Sequence, residues 1–236
     1  MSNYGLILDA HTIDELKELA IEAEKANFHS IWATELYRTS FQQLAAASGV
    51  TSRIGLGTAV ALAFTRSPMI TSLTSIDLDE ASNGRLILGL GTGAKRTNEN
   101  FHGIEFGDKP ATRIKECINT INSMIKSNHT DDNVEVDGEY YKIKTKGYKR
   151  PFKPIRSKIP IYLAGIGKNM IKTSAQVADG YLGHVVCSLK YIREVVNPSI
   201  EQGLKISNRL KSDFKTCSIV TCAISNDIER ARRAAK

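Results

Sequence analysis

The stretch Leu78-Asp-Glu-Ala-Ser-Asn-Gly-Arg-Leu-Ile-Leu-Gly-Leu-Gly-Thr-Gly93 passes from the end of a helix, through a short polar turn, into an unbroken apolar strand. The pattern over residues 68–81 predicts a helix with a proline in its first turn. The strand at residues 86–90 has no charged or polar side chain, as is typical of a parallel strand covered on both faces. A helix followed by a buried strand is the repeating unit of an α/β fold.

The same unit recurs along the chain. Strand-like apolar runs lie at residues 4–10, 30–36, 53–60, 86–90, 159–164, 181–187 and 216–224, and helical patterns separate them. The longer gap before residue 159 contains a helix at 112–126 and a hairpin with an Asp-Gly turn at residues 137–138. Strands that alternate with helices in this way predict a parallel sheet.

Seven such strands fit either an open doubly wound sheet or most of a (β/α)8 barrel. A dinucleotide-binding sheet would carry G-x-G-x-x-G after its first strand, whereas the run Gly89-Leu-Gly-Thr-Gly93 has another spacing and follows the fourth strand. We therefore predict an α/β fold of the (β/α)8 TIM-barrel type. It forms a single domain over residues 1–236, with a hairpin insert at about 128–158.

The composition is that of an ordinary globular protein, with 42% hydrophobic and 24% charged side chains in 236 residues. These values exclude a disordered, collagenous or coiled-coil chain. No apolar stretch approaches the roughly 18 residues of a membrane helix. The first residues lack the basic segment and cleavage site of a secretory signal. We expect a soluble, cytoplasmic protein without a membrane partner.

The net charge of +7 is concentrated in the second half of the chain. Residues 1–110 carry nine Lys or Arg and thirteen Asp or Glu, whereas residues 111–236 carry 23 and 12. A basic run without acidic residues extends from Lys142 to Lys158. Such a run attracts nucleic acid or an anionic ligand, but it is also typical of a solvated hairpin. Because no nucleic-acid-binding motif accompanies it, we expect no nucleic-acid partner.

The four cysteines, Cys117, Cys187, Cys217 and Cys222, form no C-x-x-C pair and lie within apolar patterns. The sequence therefore has neither the spacing of a zinc site nor that of a disulfide framework. We expect reduced, buried thiols that act as small hydrophobic side chains, and no metal site.

In a barrel, the active site lies at the carboxyl ends of the strands. The run Gly165-Ile166-Gly167 lies at the end of the predicted fifth strand. A predicted helix begins directly after it, at Lys168. Free backbone N–H groups and the helix dipole would face outward together there, as in an anion or phosphate site. A tight turn that needs glycine is the alternative interpretation.

A carboxylate follows the second strand. Glu35 comes directly after an apolar run and is expected at the barrel mouth, where a carboxylate can act as an acid or a base. An ion pair with Arg38 or Arg66 explains the same residue equally well.

Three histidines also lie near the carboxyl ends of predicted strands. His11 precedes the first helix, and we expect it to be exposed. His102 lies in the long loop after the fourth strand, and loops of that length in a compact domain usually carry function. His184 lies in the predicted sixth strand, where we expect a hydrogen-bonded core residue.

Several motifs together resemble one known family. They are Arg53-Ile-Gly-Leu-Gly-Thr-Ala-Val60, Ala63-Phe-Thr-Arg-Ser-Pro68, the opening stretch 78–93, Asp137-Gly-Glu-Tyr-Tyr141, Pro160-Ile-Tyr-Leu-Ala-Gly165 and Ala178-Asp-Gly180. From about residue 4 to its last residue, the chain is similar to the bacterial luciferase-like flavin monooxygenase superfamily. Within it, the chain most resembles the branch that uses the deazaflavin coenzyme F420.

The resemblance implies a (β/α)8 barrel with the cofactor ring in its mouth. It implies that a bulge at the third strand and the end of the fourth strand contact the ring, and that the loop after the fifth contacts the phosphate. The corresponding residues are Thr58, Ala59, Val60, Gly91, Thr92, Gly93, Gly165, Ile166 and Gly167. In F420-dependent members the bulge contains a non-prolyl cis peptide bond, which here would join Ala59 to Val60.

Two features depart from the family pattern. Many members carry an Asp-His or Glu-His pair after the second strand, whereas this chain has Glu35-Leu36. We therefore predict Glu35 as the catalytic proton donor, with His11 and His102 as substitutes. The family also usually has an eighth strand after the point that corresponds to residue 236. We expect an unclosed barrel with an unpaired edge, formed by a fragment, a split gene product or a subunit that needs a partner.

The resemblance implies an oxidoreductase that transfers a hydride between F420 and a small organic substrate. The basic run at 142–158 would then attract the acidic tail of the coenzyme. An FMN-dependent monooxygenase that uses dioxygen is the alternative within the family. A non-catalytic or fragmentary barrel subunit is a hypothesis of a different class. We expect either a homo-oligomer or a partner chain that completes the barrel.

Overall fold

The structure is a computed structural model that describes residues 3–235. Its parallel strands are β1 (Gly5–Leu8), β2 (Ser30–Ala33), β3 (Gly55–Thr58), β4 (Ala61–Leu62), β5 (Leu86–Gly91), β8 (Ile161–Ala164), β9 (Gly180–Gly183) and β10 (Lys215–Ser218). Seven of them form one sheet in the order β1-β2-β3-β5-β8-β9-β10, and the short β4 pairs with β5. β6 (Glu135–Asp137) and β7 (Lys142–Lys144) form a separate antiparallel hairpin.

Helices follow most strands and pack on the outside of the sheet. They are α1 (Ile13–Lys25), α2 (Ser40–Ser48), α3 (Pro68–Ala81), α4 (Pro110–Ser127), α5 (Lys168–Val177), α6 (Leu189–Tyr191), α7 (Asn197–Ile206) and α8 (Ile228–Ala234). Short helical turns lie at Thr97–Phe101, Ile192–Val196 and Lys211–Asp213. The parallel order of the strands confirms the predicted α/β barrel type, present here as an open, partial barrel.

Side-chain caps fix where the first helices begin. Thr12 Oγ1 accepts the N–H of Glu15 at 3.1 Å, and the Glu15 carboxylate accepts the N–H of Thr12 at 3.2 Å, so the two residues form a capping box at the start of α1. Ser67 accepts the N–H of Ile70 and precedes Pro68 at the start of α3. These caps give partners to N–H groups that a first helical turn leaves free.

Large side chains fill the interior of the barrel by packing onto glycine. The indole of Trp32 on β2 covers Gly57 on β3, where an added Cβ atom would lie 2.2 Å from the indole. The ring centroid of Trp32 lies 6.2 Å from that of Tyr162 on β8, and its Nε1 donates to Ser30 at 2.9 Å. Glycine at position 57 therefore makes room for an aromatic layer inside the barrel.

The main hydrophobic core lies between the sheet and the helices around it. Its fully buried members include Leu16, Leu44, Leu56, Ile76, Leu88, Ile118 and Leu163. A smaller cluster joins α5, β9 and α7 through Ile171, Tyr181, Ile200 and Leu204. Burial of these side chains on the outer face of the sheet explains why the strands are continuous apolar runs in the sequence.

The hairpin β6–β7 is held on α4 by a single carboxylate. Glu116 of α4 accepts the N–H groups of Glu139 and Tyr140, in the hairpin turn, at 3.0 and 2.9 Å. The predicted Asp137-Gly138 turn is present, with a four-residue loop between the paired residues Asp137 and Lys142. Glu116 therefore fixes the hairpin turn on α4, and Tyr140 adds a hydrogen bond from its hydroxyl to Asp108 at 3.2 Å.

The basic run at 142–158 is largely neutralised by local carboxylates. Its ion pairs are Lys142–Asp137, Lys144–Glu135, Lys149–Asp131, Arg150–Asp77, Arg156–Asp79 and Lys158–Asp179. These acidic partners come from four different parts of the chain, so the sequence of the basic run alone could not predict the pairing. Pairing weakens the field that an acidic coenzyme tail would meet, and it favours the structural interpretation of this segment.

The sheet is open, because within residues 3–235 neither β1 nor β10 has a strand on its outer side. The predicted last strand, 216–224, is wrong beyond Ser218, since its partner β9 ends at Gly183, whose carbonyl accepts the N–H of Ile219 as the last backbone bond between them. The predicted strand 181–187 is too long for the same reason. A π-helical turn at Ile192–Val196 directly precedes α7, which has Pro198 in its first turn.

The cysteines are free and differ in burial. Burial raises the pKa of the Cys117 thiol to about 12, so this side chain behaves as the expected small hydrophobic group. Cys187 and Cys217 are half-buried. The prediction of a buried thiol is wrong for Cys222, which is exposed in the irregular segment after β10.

The described residues provide neither a membrane-spanning helix nor a cluster of metal ligands. Among residues 3–235, no helix has both the length and the apolar character needed to cross a membrane. The same part of the chain contains no group of three or more His, Cys, Asp or Glu side chains that could hold a metal ion.

Candidate functional site

The candidate residues lie at the carboxyl ends of the parallel strands or in the loops that follow them. Thr58 and Gly91 are the last residues of β3 and β5, and Gly165 follows β8. Because the strands are parallel, their carboxyl ends meet at one end of the barrel, which we call the mouth. The fold therefore brings residues from distant parts of the sequence to the same end of the molecule.

The segment between β3 and β4 crosses the mouth as a bulge. Thr58 Oγ1 donates to the carbonyl oxygen of Gly89 at 2.6 Å, and the N–H of Ala59 donates to the last carbonyl of β2 at 2.8 Å. The Ala59–Val60 peptide bond is cis, which confirms what the family resemblance implied. We call residues 58–62 the shelf, since they are tied to the strands on both sides.

Glycines of β5 allow the shelf to approach closely. An added Cβ atom at Gly89 would lie 1.8 Å from the carbonyl oxygen of Thr58, and one at Gly91 would lie 2.5 Å from Cγ2 of Val60. The N–H of Ala63 donates to the Gly91 carbonyl at 2.9 Å. The run of glycines seen in the sequence is therefore explained by close packing of the shelf on β5.

Glu35 is an acceptor in a half-buried ion pair. Both of its carboxylate oxygens accept from the guanidinium of Arg66, and Oε2 also accepts the N–H of Leu62 at 3.0 Å. The hydroxyl of Ser40 lies 3.4 Å from the same oxygen. The side chains of Glu35 and Arg66 are 11% and 20% exposed. Of the two interpretations that the sequence left open, the ion pair with Arg66 is the one present.

Asn98 holds the loop that follows β5. Its side-chain Nδ2 donates to the carbonyl oxygens of Thr92 and Ala94, both at 2.9 Å. Its backbone carbonyl accepts the N–H of Ile104 at 2.9 Å. The residue is fully buried, and its Oδ1 has no hydrogen-bond partner among the described residues. Gly93 adopts a positive φ of 69° beside it, a conformation that favours glycine.

The turn after β8 is anchored by two tyrosines. The hydroxyl of Tyr181 donates to the Gly165 carbonyl at 2.7 Å, and the hydroxyl of Tyr191 donates to the Ile166 carbonyl at 2.8 Å. Gly167 is the N-cap of α5 and has no side chain that could accept a hydrogen bond. The first N–H groups of this helix, on the mouth side, therefore have no side-chain cap. An added Cβ atom at Gly167 would meet nothing within 4 Å.

The histidines are exposed. His11 donates its backbone N–H to Glu15 at 2.9 Å, and its carbonyl accepts from Arg38, so its backbone extends the cap of α1. His102 ends the π-helical turn after β5. The prediction of a core position is wrong for His184, because β9 ends one residue earlier and leaves this side chain in the mouth loop.

A cleft of about 270 Å³ lies beside the loop of His102. It is lined by Gly103, Ile104, Glu105, Gly107, Arg113 and Tyr140. The guanidinium of Arg113 lies 4.2 Å from the ring centroid of Phe64 and 5.8 Å from that of Tyr140. This cleft combines aromatic surface with a positive charge.

Sequence reasoning missed Asn98 and the two anchoring tyrosines. Asn98 stands in the polar run Thr97-Asn-Glu-Asn-Phe101, where nothing distinguishes one asparagine from the other. Tyr181 and Tyr191 act 16 and 25 residues away from their partners, so only the fold brings them together. No pattern in the sequence could have found these contacts.

A parallel α/β barrel, with the shelf packed on the glycines of β5 at its mouth, belongs to the class of barrel proteins that have their site at the strand ends. A family model described as luciferase-like monooxygenase matches residues 3–236. The chain belongs to the luciferase-like monooxygenase family.

Individual relatives agree with this assignment. A 5,10-methylenetetrahydromethanopterin reductase of Archaeoglobus fulgidus is 31% identical over 224 residues, which cover 94% of this chain and 64% of that protein. An uncharacterized protein of Mycobacterium bovis is 32% identical over 216 residues, which cover 91% and 63%. The solved structure of the coenzyme F420-dependent tetrahydromethanopterin reductase from Methanopyrus kandleri has a TM-score of 0.86 at 28% identity, covering 99% of this chain and 70% of that one.

The chain is shorter than these relatives. It spans 63 to 64% of the length of the two curated relatives and 70% of the chain in the solved structure.

Proposed function

We propose that this chain binds coenzyme F420 in the barrel mouth and transfers a hydride between the coenzyme and a small organic substrate. The observation that carries the proposal is the shelf, whose Val60 side chain packs on Gly91 at the carboxyl end of β5. Its support from outside the chain is the similarity to reductases, one of which is described as coenzyme F420 dependent.

The residues at the mouth fit such a cofactor. The backbone of Thr58 to Val60, together with Gly91, Thr92 and Gly93, would hold the ring, since glycine leaves β5 free of side chains where the shelf approaches. Oδ1 of Asn98, buried beside Gly93, is an acceptor that no group within residues 3–235 satisfies.

The phosphate end would lie on the turn after β8. Gly165, Ile166 and Gly167 with the uncapped N-terminus of α5 would hold the phosphate, since backbone N–H groups and the helix dipole favour an anion there. Tyr181 and Tyr191 fix this turn from behind through its carbonyl oxygens.

When bound, the coenzyme supplies the hydride chemistry, and the chain's own residues bind and orient it. For the accompanying proton, we propose His11 or His102, which are exposed in the loops that follow β1 and β5 and carry an imidazole that can donate a proton. The carboxylate of Glu35 is occupied as an acceptor, so we propose a different role for it below.

The proposal is tested by titrating the purified chain with F420 and, separately, with FMN while recording the absorbance spectrum. We expect saturable binding and a spectral shift with F420. Binding of FMN alone would support the alternative of an FMN-dependent monooxygenase. If neither cofactor binds, the proposed function is wrong, and a non-catalytic barrel subunit becomes the better hypothesis.

A matched pair of glycine variants makes the test specific to the mouth. Gly91→Ala places a methyl group 2.5 Å from Val60 and must displace the shelf, so we expect F420 affinity to fall about tenfold or more. In Gly49→Ala, at the C-terminal end of α2, the nearest atom is 3.8 Å away, and we expect unchanged affinity. Equal affinities of the two variants would argue against a cofactor on the shelf.

A further inference from the structure

We propose that Glu35 and Arg66 form a positioning pair that fixes the shelf from its C-terminal side, and that Glu35 works as an ionised acceptor instead of a proton donor. Where it concerns the cofactor, this inference rests on the proposed function. It assigns a role to the acidic residue that the family resemblance alone would place in proton transfer.

The Glu35 carboxylate is the acceptor in its hydrogen bonds with Arg66 and Leu62. Oε1 accepts from one terminal nitrogen of Arg66, and Oε2 accepts from the other at 3.1 Å and from the N–H of Leu62 at 3.0 Å. An ionised carboxylate only accepts, and each of these three bonds uses a Glu35 oxygen as the acceptor. A protonated Glu35 would have to give up one of these charge-assisted bonds.

The pair links the loop after β2 to the segment between the shelf and α3. Oε2 of Glu35 binds both Leu62, the last shelf residue, and Arg66, four residues further on. Thr65 Oγ1 donates to the Leu62 carbonyl at 3.1 Å inside the same turn. The carboxylate therefore fixes the path by which the chain leaves the shelf and enters α3.

The two ends of the shelf are held by different kinds of bond. On the N-terminal side, Thr58 and Ala59 bond to backbone carbonyls of the neighbouring strands β5 and β2. On the C-terminal side, β4 pairs with β5 and the N–H of Ala63 donates to the Gly91 carbonyl, but the N–H of Leu62 has a side-chain carboxylate as its acceptor. The Glu35 carboxylate therefore adds a side-chain bond to the backbone pairing on this side, and a substitution can remove that bond without breaking the sheet.

The surroundings make this pair stronger than a surface ion pair. Glu35 and Arg66 are 11% and 20% exposed, and the guanidinium lies 5.5 Å from the ring centroid of the buried Phe41. Exclusion of water strengthens charge-assisted hydrogen bonds and makes an unpaired partner costly. The pair is therefore suited to hold a segment in one position.

The test compares Glu35→Gln with Arg66→Lys, and uses Glu22→Gln as the control because Glu22 forms an exposed ion pair with Lys25 on α1. Hydrogen–deuterium exchange of residues 59–66 is measured without cofactor, and F420 affinity and the pH profile of turnover are measured with it. Arg66→Lys retains the charge but loses the bidentate geometry, so it keeps the test valid if Glu35→Gln folds poorly.

We expect amide exchange at Leu62 and its neighbours to rise at least about tenfold in Glu35→Gln and less in Arg66→Lys. We also expect F420 affinity to fall, with the limbs of the pH profile unchanged. The control should behave like the unmodified protein. Unchanged exchange at Leu62 in both variants overturns the proposal.

A second result would also overturn it. If Glu35→Gln binds F420 normally but loses turnover together with one limb of the pH profile, Glu35 is the proton donor. If the unmodified chain binds neither F420 nor FMN, the proposed function fails by itself, and the exchange at Leu62 still decides whether the pair positions the shelf.

Discussion

Glu24, near the end of α1, is an acceptor for three consecutive backbone N–H groups. Its carboxylate accepts from Ser52, Arg53 and Ile54 at 3.1, 2.7 and 2.8 Å, and so fixes the entry of the chain into β3. Partial burial alone would raise the pKa of Glu24, but the hydrogen bonds from Ile54, Arg53 and Ser52 outweigh it and lower the pKa to about 2. A carboxylate held this way stabilises the fold only while it is ionised.

The first prediction concerns acid stability. Because the folded pKa of Glu24 lies below the usual value of 4.5, its contribution is complete above pH 4.5 and is lost as the pH falls to about 2. After allowance for solvent screening, we expect Glu24→Gln to lower the free energy of unfolding at pH 7 by about 1 kcal/mol. The difference from the unmodified protein should shrink between pH 4.5 and 2, as measured by urea unfolding.

The exposed residue Glu18, also on α1, is the matched control. Glu18→Gln should leave both the stability and its pH dependence unchanged. A Glu24→Gln variant with a constant deficit across the acid range would show that the effect arises from packing and not from the charge.

At the scale of the secondary-structure elements, Asp79 joins α3 to β5 and to the irregular segment before β8. This α3 residue is 2% exposed, accepts from Arg156 Nε and Nη2 at 2.8 and 2.6 Å, and accepts the N–H of Leu86 at 3.2 Å. Arg156 in turn donates to the Leu86 carbonyl at 2.7 Å. The link holds the segment before β8 against the start of β5.

The second prediction follows from this link. Asp79→Ala removes the partner of Arg156 and the acceptor of the Leu86 N–H, so we expect a loss of about 3 kcal/mol in the free energy of unfolding. The double variant Asp79→Ala with Arg156→Met should recover part of the loss, because it leaves no unpaired charge. A double variant less stable than Asp79→Ala would contradict this explanation.

The elements were predictable where local patterns decide them. The helix at 68–81 is correct at both ends, since Ser67 and Pro68 mark its start and a turn with Asn83 at positive φ follows it. Strand ends were predicted less well, because a strand lasts only as long as its neighbour supplies hydrogen bonds. β10 stops at Ser218 for that reason, although apolar residues continue beyond it.

The site was predictable in its backbone and less so in its side chains. The cis bond at Ala59–Val60 was implied by the family resemblance, and the glycines of β5 lie within one of the short motifs that carry that resemblance. The pairing of Glu35 with Arg66 joins residues 31 positions apart, so the sequence left an ion pair and an acid–base role equally open. The same holds for Asn98, whose partners become neighbours only once the loop after β5 has folded.

At the scale of the whole molecule, the sheet has two free edges. Within residues 3–235, β1 and β10 each lack an outer partner, and apolar side chains are exposed beside β10. Val220 is 73% exposed, Ile224 100% and Ile228 63%. Unpaired edges with exposed apolar side chains favour association with another chain. We propose that this chain self-associates through the β10 edge.

The third prediction tests that proposal by sedimentation velocity at several protein concentrations. We expect the unmodified chain to form dimers or larger species, and the double variant Val220→Lys with Ile224→Lys to sediment as a monomer. Val50→Lys, an exposed position at the end of α2, is the control and should associate normally. A chain that is monomeric at every concentration would contradict self-association through this edge.

Trp32 is the single tryptophan of the chain, and it lies buried inside the barrel against Gly57 and Tyr162. Its emission therefore reports on one place, the aromatic layer inside the barrel, with no background from other indoles. Opening of the barrel would wet this indole and move its emission to longer wavelength. A deazaflavin or flavin bound at the mouth would absorb that emission by energy transfer, so the protein carries an intrinsic optical probe of both its folding and its occupancy.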